Sequence, residues 1–378
     1  MHVCAPYIAG PLMGLLAAAA AQADVVQTLQ GRLEGPARFA NGQLEVAGKP
    51  VPWDSLLYAI KEQEGRSIRS PQAIRLASGE VWLVHLVGLS AKKLKVQLPL
   101  FGERELDVAV ARSLDFLPDL APPGAGDRPN TLYREKSEPI PGPLLWIDEQ
   151  RLAIDSPLGV LTLQREGTSR YLLPSVKPPA PTKEDELSLV DGSTLRGTAK
   201  PAKDGVELEH AILGRVVVPD RALRSVLRRP SSAAYLTELA PQSVSAVPLI
   251  VNAVPPEAVE YVERGQPLAW PGKLRCLRGL RMEPKSSSRY QLPKLAGPTL
   301  ALRATLGPIE GARGDVRVRI ASGGKTLLEK ELGPAAAEEV VSLNLPAGAD
   351  LAIEADFGKR ILFPCGILVS DPHVVGVQ

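Results

Sequence analysis

Apolar and polar positions alternate in short runs along this chain, and turn residues separate the runs. Residues 187–197 (LSLVDGSTLRG) give the clearest case. Asp191-Gly192 falls between two alternating stretches and predicts a hairpin, because such turns need positive φ and glycine adopts it without steric cost. Further alternating runs follow at 205–210, 213–218 and 223–227.

The same order of runs recurs earlier. One copy occupies 74–82, 94–98, 101–106 and 108–114, a partial one 151–156 and 158–163, and a fainter one 42–46, Val51 and 53–60. Each copy centres on one glycine: Gly48, Gly102, Gly159 and Gly214, separated by 54, 57 and 55 residues. Spacing this regular marks a structural repeat. Each copy carries four or five short strands, the content of a small barrel or half a sandwich. The phrase 187–197 resembles the opening of Sm-like or SH3-like small barrels. Two Pro-rich stretches interrupt the pattern, a long loop at 118–143 and a semi-rigid linker at 176–184. Residues 228–232 (RRPSS) form a second joint.

Beyond that joint, short two-faced strands continue. Leu300, Leu302, Ala304 and Leu306 share one face of 299–307, and 316–320 alternates with Arg317 and Arg319 outward. Ser322-Gly-Gly-Lys325 turns the chain into 326–332, and 340–345 and 351–358 complete an antiparallel sandwich pattern.

The order of phrases in this last part resembles the NPCBM family of carbohydrate-binding modules. The matching phrases are YLTEL at 235–239, RGL at 278–280 before SSSRYQL at 286–292, and the strand ending at Gly307. GDVRVRIASGGKTLLEK at 314–330, LAIEADFG at 351–358 and SDP at 370–372 also match. The resemblance implies a galactose-binding-like jelly roll, found in secreted bacterial proteins, and a glycan as ligand. The chain departs from the family pattern at 281–285 and at Phe363-Pro-Cys-Gly366.

Composition agrees with an all-β chain: aromatics are only 4%, while 36 prolines and 33 glycines favour short elements joined by turns. A net charge of +2 offers no electrostatic footprint for nucleic acid. An apolar stretch from Val3 to Ala21 ends in Ala21-Gln22-Ala23, which predicts a signal peptide cut after Ala23 and a mature chain without a membrane span. Export leaves Cys276 and Cys365 in an oxidising compartment, as a disulfide or as two buried thiols.

Sugar recognition needs an aromatic platform and fixed polar groups. Trp270 and Tyr290 are the candidate platforms, and Arg278, Arg281, Glu283 and Arg289 the candidate polar partners. The bland reading puts both aromatics in the core and the charges on a solvated loop. His85, His210 and His373 lie far apart without metal-ligand spacing, and no phosphate loop or dinucleotide fingerprint occurs, so no metal and no cofactor are expected. Carboxylates form no distinctive pair for hydrolysis. The expected protein is all-β and exported. Repeated small β-barrel or sandwich units fill 24–175 and 185–229, and a jelly-roll sandwich fills 230–378. It is expected to be non-catalytic and to bind a glycan or envelope polysaccharide. The alternative is a structural role through other envelope proteins, and the third an accessory part in glycoside hydrolysis.

Overall fold

The computed structural model describes residues 24–61, 72–117, 120, 123–124, 126–174, 183–247, 256–260, 278–297, 299–309, 311–346 and 350–377. The expected signal peptide at 1–23 and most of the linker at 176–184 lie outside them. The described chain is all-β, with 3-10 turns and no α-helix among the described residues.

The repeat is real and has four copies. The last is the most regular: strands Asp185–Leu189, Thr194–Ala202, Gly205–His210 and Gly214–Pro219, a 3-10 turn Asp220–Ala222, and a closing strand Leu223–Leu227 that returns to pair with the first. Unit 2 repeats this order with Gln72–Leu76, Val81–Ser90, Lys93–Leu98, Gly102–Asp107, the turn Val108–Val110 and the closing strand Ala111–Asp115. This is the strand order of an SH3-like small barrel. Units 1 and 3 are looser versions that close with Leu56–Ile60 and Thr168–Leu172. The four spaced glycines all sit where a hairpin enters its next strand, at φ of +78° (Gly48), +72° (Gly102), +105° (Gly159) and +70° (Gly214). Their regular spacing therefore records one turn geometry used four times.

A lone five-stranded unit leaves its closing strand with unpaired N–H and C=O groups. Here those edges satisfy one another. The closing strand of unit 1 pairs antiparallel with that of unit 4, and the closing strand of unit 2 with that of unit 3. The unit that lies beyond the Pro-rich linker in sequence thus shares a sheet with the first. Units 2 and 4 meet through the turn of unit 4, where Ser193 Oγ and Thr194 Oγ1 accept the main-chain N–H groups of Leu83 and Val81, each at 2.9 Å. One apolar cluster runs through all four units, from Val26 to Val226, with Trp82 and Tyr171 among its largest buried side chains.

The C-terminal module is a two-sheet sandwich. One sheet orders its strands Glu257–Glu260, Arg278–Met282, Ile367–Val377, Thr299–Pro308 and Glu339–Pro346, with Ala233–Tyr235 added beside Ile367–Val377. The other orders Ser243–Ala246, Ser286–Gln291, Asp350–Phe357, Val316–Ser322 and Lys325–Leu332. Leu300, Leu302, Ala304 and Leu306 face its core as the alternation predicts, and Arg317 and Arg319 face out to Asp356 and Glu354.

The joint at 228–232 is clamped. Arg228 stacks on Trp53, with its guanidinium carbon 4.4 Å from the ring centroid, and pairs with Asp185. Tyr235 Oη donates to the carbonyls of Leu57 and Arg228. A second apolar cluster joins Val25, Leu57, Tyr58 and Ile60 of unit 1 to Tyr235, Ala301 and Val375 of the sandwich.

Candidate functional site

The phrases that carry the family resemblance converge at a structural junction. The main-chain N–H of Arg278 donates to Asp371 Oδ1 at 3.0 Å, joining RGL to SDP. The Arg278 guanidinium is buried and pairs with Glu238, while Glu186 of unit 4 lies 3.5 Å away. Glu186 also meets Arg196 and Arg229. Burial works to raise the Glu186 carboxyl, but the three guanidinium groups outweigh it and hold it below its ordinary value. Burial likewise lowers Arg278. This cluster fastens the sandwich to unit 4, and the Arg278 guanidinium, named from sequence as a candidate polar partner for a sugar, is taken up by that junction.

Tyr290 is likewise no exposed platform. Its strand, Ser286–Gln291, turns Ser286, Ser288 and Tyr290 inward, and the ring is 2% exposed within the sandwich core. Burial pushes its hydroxyl pKa up. Arg289 is exposed on the opposite face. Trp270 and Cys276 lie outside the described residues; Cys365 is buried with no disulfide partner among the described residues, and burial and the nearby Glu283 carboxylate push its thiol pKa up.

Arg281 and Glu283 lead instead to one end of the sandwich. Three loops gather there: 283–285, 309–315 (of which 310 is not described) and 358–366. The second and third are knitted by main-chain bonds from Ile309 to Gly366, Arg313 to Pro364 and Asp315 to Arg360, at 3.0, 2.7 and 2.8 Å. Gly314 is needed for this approach, since a Cβ there would stand 2.3 Å from the Leu362 carbonyl. The loop 358–366 turns Ile361, Leu362 and Phe363 outward, with exposures of 56%, 49% and 48%. Phe363 rests its ring edge-to-face on Phe357, with centroids 5.9 Å apart. Beside this patch Arg313 is exposed and Arg360 pairs with Asp315 at 3.1 Å, while Glu283 lies near Cys365 of the same loop and pairs with Arg281 at 3.4 Å. An aromatic face beside charged hydrogen-bonding groups, on loops held by a rigid scaffold, is an arrangement that recognition surfaces use.

Sequence reasoning singled out Phe363 only as a departure from the family pattern. The signal was there: three consecutive large apolar residues before Pro364, in a stretch that does not alternate.

Other places offer less. A crevice between units 2 and 4, lined by Trp82, Phe101, Asp191 and Ser193, has a volume of about 10 Å³, room for one water and not for a sugar. Among the described residues no group of three or more His, Cys, Asp or Glu side chains is placed to hold a metal. No described helix is long and apolar enough to cross a membrane.

No known protein family matches the chain, and no curated protein does. Solved structures similar to it include carbohydrate-binding modules. One is CBM51 from a Clostridium perfringens family GH95 protein in complex with methyl-galactose, at 12% identity and TM-score 0.31, covering 38% of this chain and 99% of that one. Another is the tandem CBM51 pair of a Streptococcus pneumoniae family 98 glycoside hydrolase, at 8% identity and TM-score 0.32, covering 66% and 88%. A third is CBM36 in complex with calcium and xylotriose, at 12% identity and TM-score 0.22, covering 38% and 96%. Likeness at this level names neither a ligand nor a binding residue for this chain.

Proposed function

We propose that this chain is an exported, non-catalytic binding protein of the cell envelope whose C-terminal sandwich recognises a glycan. The observation that carries the reading is the loop cluster at the end of the sandwich. Phe363 offers a ring face to the apolar side of a sugar, and Arg281, Glu283, Arg313 and Arg360 offer donors and acceptors to its hydroxyls. Loops tied by main-chain bonds limit the ordering entropy lost on binding. The sequence resemblance of residues 235–373 to the NPCBM family points the same way. The barrel units supply a rigid mount, through Tyr235 and the Arg278–Glu186–Glu238 cluster.

The test is glycan-array binding and titration calorimetry on the full chain, beside Phe363→Ala and Arg313→Ala. A glycan hit that Phe363→Ala weakens by about tenfold, roughly 1.4 kcal/mol, supports the reading. No hit, or a hit that neither substitution changes, refutes this site. Trp270→Ala in the same series tests the platform named from sequence.

A second reading is a protein–protein role at the same end. Ile361 and Leu362 favour it, because they extend the patch with aliphatic surface that a sugar does not use. Under that reading Ile361→Ser and Leu362→Ser abolish partner capture, while the array stays blank.

A further inference from the structure

We propose that the strand Gly159–Gln164 of unit 3 pairs antiparallel with its own counterpart in a second copy of this chain, making a two-fold dimer through unit 3. The strand lies at the edge of its sheet, with Arg151–Ser156 as its only neighbour among the described strands. An open edge presents a row of unpaired N–H and C=O groups, and proteins usually guard it with charge or proline.

The other described edge strands of six or more residues are guarded. Gly102–Asp107 carries Glu103, Arg104, Glu105 and Asp107. Gly214–Pro219 has Arg215 and Pro219, Lys325–Leu332 has four charged residues, and Glu339–Pro346 begins with one charge and ends in proline. Gly159–Gln164 has neither guard. Leu158, in the turn before it, is 90% exposed and Val160 is 62% exposed.

The neutral sequence selects the partner. A two-fold antiparallel pair sets each residue opposite one from the same short segment, so a charged edge meets its own charge. This edge meets none. The chain already pairs equivalent strands in this manner, unit 1 with unit 4 and unit 2 with unit 3, each antiparallel through the closing strands.

The register follows from the hairpin. The N–H of Arg165 bonds inward to Gln150 at 2.8 Å, so odd-numbered residues of the strand bond to their neighbour. The main-chain groups of Val160, Thr162 and Gln164 therefore face the open edge. A two-fold axis through Thr162 sets Thr162 opposite Thr162 and Val160 opposite Gln164.

Sedimentation velocity on the full chain at increasing concentration reads the association. The expected result is a dimer, and Thr162→Lys, which sets two ammonium groups face to face, weakens it by about tenfold or more while leaving the thermal midpoint unchanged at concentrations where both proteins are monomeric. Thr162→Cys yields a disulfide-linked dimer under mild oxidation, and Val217→Cys, on the guarded edge of unit 4, does not. A wild-type monomer at every concentration overturns the proposal. So does a dimer that Thr162→Lys leaves intact and Thr162→Cys fails to cross-link, or a monomer that captures extended peptides at this edge.

Discussion

His210 Nε2 lies 2.7 Å from Glu80 Oε1, and this contact between two buried side chains joins unit 4 to unit 2. The other ring nitrogen, Nδ1, accepts the main-chain N–H groups of Ile212 and Leu213 at 2.9 and 3.0 Å. With both N–H groups aimed at Nδ1, the donor to Glu80 is Nε2–H. Glu80 also accepts from the Arg196 main chain and the Ser78 hydroxyl. His210→Ala leaves the two main-chain donors without their acceptor and takes one of three hydrogen bonds from the buried Glu80 carboxylate. The expected loss is about 3 kcal/mol in urea unfolding, and a loss under about 1 kcal/mol would show that water replaces the ring.

Asp115 plays the corresponding part between units 2 and 3. It is fully buried on a closing strand and accepts from Arg75, Arg170 and Ser113. Asp115→Ala takes the shared carboxylate from two guanidinium groups in a buried junction and should cost about 3–5 kcal/mol. Asp115→Leu should be as damaging, because the cost comes from the abandoned charges and not from lost volume. Denaturant midpoints for the two variants check this.

Much of the architecture was legible in the sequence because turns and sandwich strands leave local marks. Positive φ at Gly48, Gly102, Gly159 and Gly214 leaves glycine at a regular interval, and a two-sided strand such as Thr299–Pro308 shows its alternation. The burial of Tyr290 follows the bland reading of that aromatic, but its strand gave no periodic mark of it: Ser286 and Ser288 also point inward, so the inward face does not look apolar. Arg278 looked like a ligand-facing cation because its partner Glu186 lies more than ninety positions away and in another module. The pairing of unit 1 with unit 4 is equally silent, since an edge strand that finds a distant partner has the same composition as one that finds a near one.

His373 makes acid stability measurable. Its Nδ1 donates to the Asp371 carbonyl at 2.6 Å, and Nε2 has no hydrogen-bond partner among the described residues. Burial, with a smaller push from Arg303, lowers its pKa from 6.5 to about 4. The unfolded chain takes up this proton as pH falls through about 6.5, but the folded chain refuses it until about 4. Stability therefore declines with falling pH across that window, by about 3 kcal/mol in all, and this contribution is flat above and below it. His373→Phe should remove that slope even if it lowers stability at neutral pH. Denaturation midpoints from pH 7 to pH 4 decide, and equal slopes in both proteins would refute the assignment.

Two kinds of glycine should respond differently to alanine. At Gly102 the residue has positive φ and open space around it, so Gly102→Ala should cost about 1–2 kcal/mol from backbone strain. At Gly205 a new Cβ would stand 2.1 Å from the Val218 carbonyl oxygen, which the paired strand cannot yield cheaply. Gly205→Ala should cost more than about 3 kcal/mol. Thermal midpoints in the same buffer rank the two, and the reverse order would contradict the packing of unit 4.

The sheet that joins the first unit to the fourth also governs when the molecule can form. Ala59 pairs with Val226, so a newly made chain emits unit 1 long before the strand that completes it exists. Until then Leu57, Tyr58 and Ile60 are left without the apolar neighbours Leu227, Tyr235 and Val375. Pairing at such separation is slow and leaves sticky intermediates. The segment Leu56–Ile60 is thus the place where a holding chaperone has most to shield, and a chain cut short before Leu223 should aggregate through it.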